Sequence, residues 1–240
     1  MLKTLQNAFK IKEIREKLLY TFFMLVVIRL GSQLPIPGVD TKFFAELFAR
    51  QSSDAFGFFN TITGGSFTNM SVFALSITPY ITSSIIMQLL TIAIPKLEEM
   101  QREGEDGRKK IAEYTRYLTV GLALMQSIAM SVGFGGRGLL IDFNAVSVIV
   151  AIATMTSGSA MLMWIGERIT ERGVGNGISI VLLFNIISTL PSDMITLYER
   201  FLVGKNVPVA TVSLIIILAI ILAMVVFVIV LQDGERRIPV

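Results

Sequence analysis

The apolar residues of this chain fall into long, nearly uncharged runs separated by short polar ones. The clearest run reads VATVSLIIILAIILAMVVFVIVL from Val209 to Leu231, 23 positions without a charge. At 1.5 Å per residue such a helix reaches about 35 Å, enough to cross a ~30 Å hydrocarbon core with some tilt. Seventeen of its residues are Leu, Ile, Val or Phe, each worth roughly −0.3 to −0.6 kcal/mol at the centre of a span. Five further segments join it: Leu18–Leu34, which carries Arg29; Met70–Pro95, with Pro79 and a cluster of hydroxyls; Tyr117–Gly136; Ala145–Ile165; and Gly177–Leu190, which is short and needs neighbouring residues to complete a crossing. The pattern predicts an all-α fold, a polytopic membrane helix bundle of about six transmembrane helices. Residues 1–17 form a polar, basic, amphipathic segment before the spans, residues 18–231 hold all six, and residues 232–240 begin a loop.

Composition agrees. The chain is 53% hydrophobic and 16% charged, against about 45–50% and roughly 25% in a soluble domain. The charge deficit matters more than the apolar excess, because a soluble surface of this size needs charge to coat it. Lys and Arg placement orients the spans. With the N-terminus inside, fifteen of the 21 basic residues lie on inner segments, five (Lys42, Arg50, Arg137, Arg200, Lys205) on outer ones, and Arg29 within a span. Both termini are therefore expected on the cytoplasmic side. Met1–Lys17 is followed by no small-residue cleavage pattern, so the first apolar run is expected to be retained. Cysteine and histidine are absent, which excludes disulfides, thiol nucleophiles, imidazole bases and Cys/His metal sites.

Several stretches invite chemistry. Pro35–Asn69 forms a long outer loop with PIPG at Pro35–Gly38 and FGFFNTITGGSFTN at Phe56–Asn69. The latter is too polar to span and too apolar to be simply solvated. A re-entrant segment in a protein-lined cavity fits it, with Gly64-Gly65 as a flexible joint. Arg29 lies towards the outer end of its run, so snorkelling to the interface is the simplest reading and a partner in another helix the alternative. GVGNG at Gly173–Gly177 lacks the preceding strand and the following Lys-Ser/Thr of a phosphate loop, and reads as a tight turn between spans. EGEDGRKKIAEYTRY, Glu103–Tyr117, mixes both signs. It reads as a solvated hairpin whose basic end anchors the next span, with a docking surface as the alternative. Ile77 and Ile81 stand four apart, as do Leu182 and Ile186, so each pair shares a helix face. Hydroxyls at Ser76, Thr78, Thr82, Ser83 and Ser84, together with Pro79, suit a distorted helix packed in protein or lining a cavity. Taken alone, ordinary helix packing accounts for these residues.

At these positions the chain resembles the SecY family, the protein-conducting channel of the bacterial plasma membrane. SITPYITSSIIMQLL (Ser76–Leu90) resembles the family signature on its second span, and ERITERGVGNGI (Glu167–Ile178) the second signature, between spans four and five. GSQLPIPGVD (Gly31–Asp40), FNTITGG (Phe59–Gly65), EGEDGRKKIAEYTRY and the C-terminal ERRIPV match in family order. Two positions depart from the pattern. Members usually carry glycine where this chain has Ser76, and a small residue is expected at Asn185. The family is normally ten-spanning, and this sequence resembles its N-terminal half plus one helix.

The resemblance implies an hourglass pore between two pseudo-symmetric halves. A ring of aliphatic side chains closes its waist and a re-entrant plug between spans one and two blocks it from outside. Ile77, Ile81, Leu182 and Ile186 match ring positions; the remaining members belong to spans seven and ten, outside this sequence. Phe58, Phe59, Asn60, Thr61, Ile62, Thr63, Gly64, Gly65, Ser66, Phe67, Thr68, Asn69 and Met70 match the plug. Thr82 and Gln126 are candidates for the polar lining of a lateral gate, and Arg236 and Arg237 begin the loop that partners engage. The implied activity is passive conduction of unfolded polypeptide across or laterally into the lipid bilayer, without catalysis, cofactor, metal or nucleic acid. The implied partners are small SecE-like and SecG-like membrane subunits, with a SecA motor or a ribosome on the cytoplasmic face. Half of a solute transporter is the main rival, and predicts a charged or strongly polar cluster at mid-depth. An intramembrane enzyme would need paired carboxylates or a His-assisted nucleophile within the spans. An inactive fragment of the channel is the third alternative.

Overall fold

A computed structural model describes residues 11–42, 46, 54–201 and 207–234. Among the described residues the backbone forms eight α-helices: α1 (Lys12–Gln33), α2 (Asp54–Ile62), α3 (Thr78–Ala93), α4 (Pro95–Arg102), α5 (Glu105–Phe134), α6 (Ala145–Arg172), α7 (Gly177–Phe201) and α8 (Val207–Gln232). A π-helical turn, Gly135–Leu139, extends α5. The described backbone has no strand beyond two isolated antiparallel bridges, Pro35 to Ser71 and Val39 to Leu140. The chain divides into two units, Met1–Thr189 and Leu190–Val240.

Among the described residues, four helical stretches are long and apolar enough to cross a membrane: Glu105–Leu139, Ala145–Arg172, Gly177–Glu199 and Leu214–Gln232. The pair α3 and α4 makes a fifth if counted together, but it bends by 101° at its break. The remaining expected span, Leu18–Leu34, lies largely on the 22-residue α1, which is long enough to cross but carries charges in its first turns and at Arg29.

Helix boundaries differ from the apolar runs for local reasons. Residues 70–77 are turns, not helix. Met70 (φ 42°) and Ser76 (φ 53°) sit in the left-handed region, which ends a right-handed helix. Helix α3 therefore starts at Thr78 with Pro79 in its first turn, where a missing N–H and a fixed φ cost nothing. The proline starts a helix rather than distorting one. Pro95 likewise begins α4, so the second apolar run ends at Ala93. The mixed-charge stretch Glu103–Tyr117 is not a hairpin: after the turn at Gly104 (φ 86°) it is the beginning of α5. Helix α7 runs through Pro191 to Phe201, beyond the expected end at Leu190.

In the first unit the helices pack through small and hydroxylated residues. The buried positions of α5 include Gly107, Thr115, Thr119, Ala123, Ser127 and Ser131, and those of α3 are Pro79, Ser83, Met87 and Thr91. Both stripes advance in steps of four, one face of a helix. Large side chains of α5 such as Leu124, Met125, Ile128 and Val132 point outward. This inverted distribution suits lipid, where close backbone approach drives association and outward apolar groups carry no penalty. Ser127 Oγ pairs with Thr156 Oγ1 at 2.9 Å across α5 and α6. At one end of the same two helices Arg116 Nε donates to Glu167 Oε1 at 2.8 Å.

Two apolar cores hold this unit. One gathers Ile36, Phe67, Met70, Leu75, Ala123, Leu139 and Met155; the other Ile28, Phe73, Ile77, Leu162, Ile165, Ile169 and Val181. Backbone bonds clamp the strand-like link after α1 between them. Ile36 N donates to Met70 O at 3.0 Å, Val72 N to Leu34 O at 2.9 Å, and Asp40 N to Leu139 O at 2.8 Å. In the second unit, Met194, Leu197 and Tyr198 line an apolar crevice of about 240 Å³ with Leu214, Ile217, Leu218 and Ile221. The Leu214–Gln232 stretch has a mean hydropathy of 3.7 and no buried residue, as expected of a helix whose surroundings are hydrocarbon.

Candidate functional site

Where the four aliphatic candidates lie follows from the helix starts. Ile77 caps the N-terminus of α3 and is 0% exposed within the second core, with Ile81 partly buried against it. Leu182 is half-buried on α7, and Ile186, one turn on, is 36% exposed. Val181, beside Leu182, shares the core with Ile77. The four thus stand in graded environments, from sealed to open.

The segment Phe58–Met70 is half helix and half turn. Phe58–Ile62 are the last residues of α2, and the following turns bury Thr63, Gly64, Ser66, Phe67 and Met70. Asn60 Oδ1 accepts from the hydroxyl and the backbone N–H of Thr68, and Phe59 meets Phe67 edge-on at 4.8 Å. These contacts fold the segment onto itself. Gly64 adopts φ 67°, and a Cβ there would stand 3.0 Å from Ser188 Oγ and 3.1 Å from Asn185 Cα. Glycine is needed for both conformation and proximity.

That proximity exposes a polar network the sequence reading did not assemble. Arg29 Nη1 donates to Gly64 O at 3.0 Å and to Ser188 Oγ at 3.2 Å. Its side chain turns inward to a partner in another helix and does not snorkel. Ser188 Oγ donates to Asn185 O at 2.7 Å. Asn185 Nδ2 donates to Ser76 Oγ at 3.1 Å, and Ser159 Oγ to Ser76 O at 3.2 Å. Asn185 is 4% exposed and Ser76 1%, so each would be costly unpaired. The network brings α1, the turn after α2, the start of α3, α6 and α7 to one place. Ser76 precedes Ile77 and Asn185 precedes Ile186, so the network sits next to both aliphatic pairs in the sequence. The available signals were an arginine inside an apolar run and two departures from the family pattern, Ser76 and Asn185; nothing in their spacing said that they meet.

The remaining candidates are more scattered. Thr82 Oγ1 is turned back to Thr78 O at 3.1 Å, and Gln126 is half-buried on α5. Arg236 and Arg237 lie outside the described residues. The turn at Gly173–Gly177 is built as a helix connection. Gly175 takes φ 66°, and Asn176 Oδ1 accepts from the N–H groups of Ile178 and Ser179, capping α7. Beside it a crevice of about 260 Å³ is lined by Tyr80, Arg116, Glu167, Thr170, Glu171, Asn176 and Ile178. No group of three or more Asp, Glu, His or Cys that could hold a metal occurs among the described residues.

Comparison with known proteins gives the family. A family model described as SecY matches residues 71–240. Protein translocase subunit SecY of Bacillus subtilis is 41% identical over 248 residues, covering 100% of this chain. This chain belongs to the SecY family. The SecY subunit of Pseudomonas aeruginosa is 41% identical over 96% of the chain, and that of Escherichia coli K12 40% over 95%. The chain spans about half the length of these curated relatives, 56%, 51% and 52% respectively. Two solved channels share the fold at 20% identity. One, a protein-conducting channel, has a TM-score of 0.50 over 78% of this chain and 38% of its own. The other, Sec61 in a canine ribosome–channel complex from the endoplasmic reticulum, has 0.53 over 94% of this chain and 49% of its own. The SecY-family assignment joins the all-helical fold to the two signatures at Ser76–Leu90 and Glu167–Ile178.

Proposed function

We propose that this chain forms the N-terminal part of a protein translocase channel, which passively conducts unfolded polypeptides across, or laterally into, the bacterial plasma membrane. The single observation that carries the reading is sequence identity of about 40% to SecY subunits along the whole chain. The geometry is compatible with it: Ile77 shares a core with Val181 of α7, next to Leu182 in sequence, and the turn at Gly64 rests against α7 at Asn185 and Ser188. Ile77, Ile81, Leu182 and Ile186 supply part of a yielding ring, and Phe58–Met70 the plug. Bulky apolar side chains suit a seal because ions crossing a dry constriction must shed water at high cost, whereas a polypeptide can push them aside. Thr82 and Gln126 contribute polar lining to the lateral gate.

In this reading the channel does no bond chemistry. The driving force comes from a SecA-like motor or a ribosome, which engages the cytoplasmic loop that begins at Arg236 and Arg237. SecE-like and SecG-like subunits complete the complex. Both ends of the chain face the cytoplasm. Against a transporter, the polar groups gathered around Asn185 bond to one another and to backbone carbonyls rather than facing an open cavity.

Ion conductance of the intact channel protein in planar bilayers tests the ring. Ile81→Ser, Leu182→Ser and Ile186→Ser are each expected to raise resting leak and to loosen signal selection. Ile77→Ser should do so with an added loss of about 2–5 kcal/mol in stability, since Ile77 is also core. Resting conductance that stays at the parental level in all four variants removes the ring assignment.

A further inference from the structure

The network around Asn185 has a use that the aliphatic ring does not supply. We propose that Arg29, Asn185 and Ser188 form a polar clasp, holding the Phe58–Met70 segment and the start of α3 against α7 in the closed state, and that opening must break it. The inference rests on the channel reading above and names further positioning residues for it.

Three observations carry it. Arg29 is the one basic residue inside an apolar run of the sequence, where a guanidinium is expensive, and its donors go to the turn at Gly64 and to α7 rather than to the interface. Gly64 O belongs to a left-handed residue, and the guanidinium reaches it from another helix. Pulling the turn away therefore leaves both the carbonyl and the arginine without that partner. Ser76 is held at φ 53°, a conformation that costs a non-glycine residue energy. The bonds from Asn185 to its Oγ and from Ser159 to its O hold it there.

The bonds form a chain, Arg29 to Ser188 to Asn185 O on one side and Asn185 to Ser76 on the other. Asn185 and Ser188 are three apart, on one face of α7. A displacement of α7 therefore loosens the turn segment and the start of α3 together. Hydrogen bonds of this kind inside membrane proteins are individually modest, which suits a closure that must open and reseal. The Asn185–Ser76 bond also fixes the start of α3, at Ile77, against α7.

The experiment uses the intact channel protein with two readouts. This sequence has no cysteine, so Ser66→Cys, at a position 1% exposed, in the intact protein with any cysteine outside this sequence replaced, reports release of the segment through its labelling rate with a membrane-impermeant thiol reagent. Resting ion leak is the second readout. Arg29→Gln and Asn185→Ala are each expected to raise labelling and leak about fivefold, the population shift that follows loss of one net hydrogen bond. Arg29→Lys, which keeps a donor, should restore most of the closure. Ser76→Gly relieves the left-handed strain and should lessen the effect of Asn185→Ala. Parental labelling and leak in both Arg29→Gln and Asn185→Ala, with Ile186→Ser leaking, overturn the clasp and leave the channel reading intact. If Ile186→Ser and the other ring variants are silent as well, the channel reading falls first. A variant that only unfolds shows itself by lost transport that Arg29→Lys or Ser76→Gly does not rescue, and that outcome also counts against the clasp.

Discussion

Single residues in this protein owe their identity to how closely backbones approach. Gly158 on α6 is the sharpest case: a Cβ there would stand 2.0 Å from Val72 O, so the turn before α3 lies directly on the helix. Gly158→Ala is expected to destabilise the protein by about 1–3 kcal/mol through overpacking, read as a lowered thermal transition in nanodiscs. Gly133 on α5 has nothing within 4 Å of the same position. Gly133→Ala should be neutral or stabilising by about 0.5–1 kcal/mol, since alanine is the better helix former. Equal losses in the two variants would mean that the tight contact with Val72 is wrong. Ser76 teaches a related lesson: its sequence neighbours mark a signature, but its left-handed backbone and its bond to Asn185 are visible only in three dimensions.

At the level of elements, the apolar runs located the helices while their ends were decided by prolines, left-handed residues and charge. Pro79 and Pro95 start helices, and Met70 and Ser76 forbid helix between them. The run Met70–Pro95 therefore contributes only Thr78–Ala93 to its span. Which face of a span meets protein was partly legible, because Thr115, Thr119, Ala123, Ser127 and Ser131 recur every four residues on α5. Ala123, 0% exposed, should not tolerate Leu: overpacking against the buried cluster that includes Leu75, Ala151 and Met155 should cost about 1–3 kcal/mol. Leu124→Ala, on the outward face, should leave helix association unchanged. Protease protection of the reconstituted protein separates the two, and a tolerant Ala123→Leu would place the α5 interface elsewhere.

For the whole molecule, the distribution of Lys and Arg predicts an orientation that can be tested directly, since an introduced cysteine is unique within this sequence. Lys109 and Arg137 are both exposed, near opposite ends of the α5 stretch. In intact cells an impermeant thiol reagent should label Arg137→Cys, and should reach Lys109→Cys only after permeabilisation; the reverse pattern inverts the assigned topology. The sequence by itself determined that the chain is an all-helical membrane protein of the SecY family, because spans need long uncharged runs and the signatures are long and ordered. The proposed grouping of Ile77, Ile81, Leu182 and Ile186 rests on the family resemblance. Tertiary structure alone decided where Arg29 points, that the turn at Gly64 rests on α7, and that Ser76 and Asn185 are partners. The physical reason is range: hydropathy and helical period act over a few turns and are written locally. The clasp joins residues as far apart as Arg29 and Ser188, and a hydrogen bond between such distant positions leaves no period in the sequence to read.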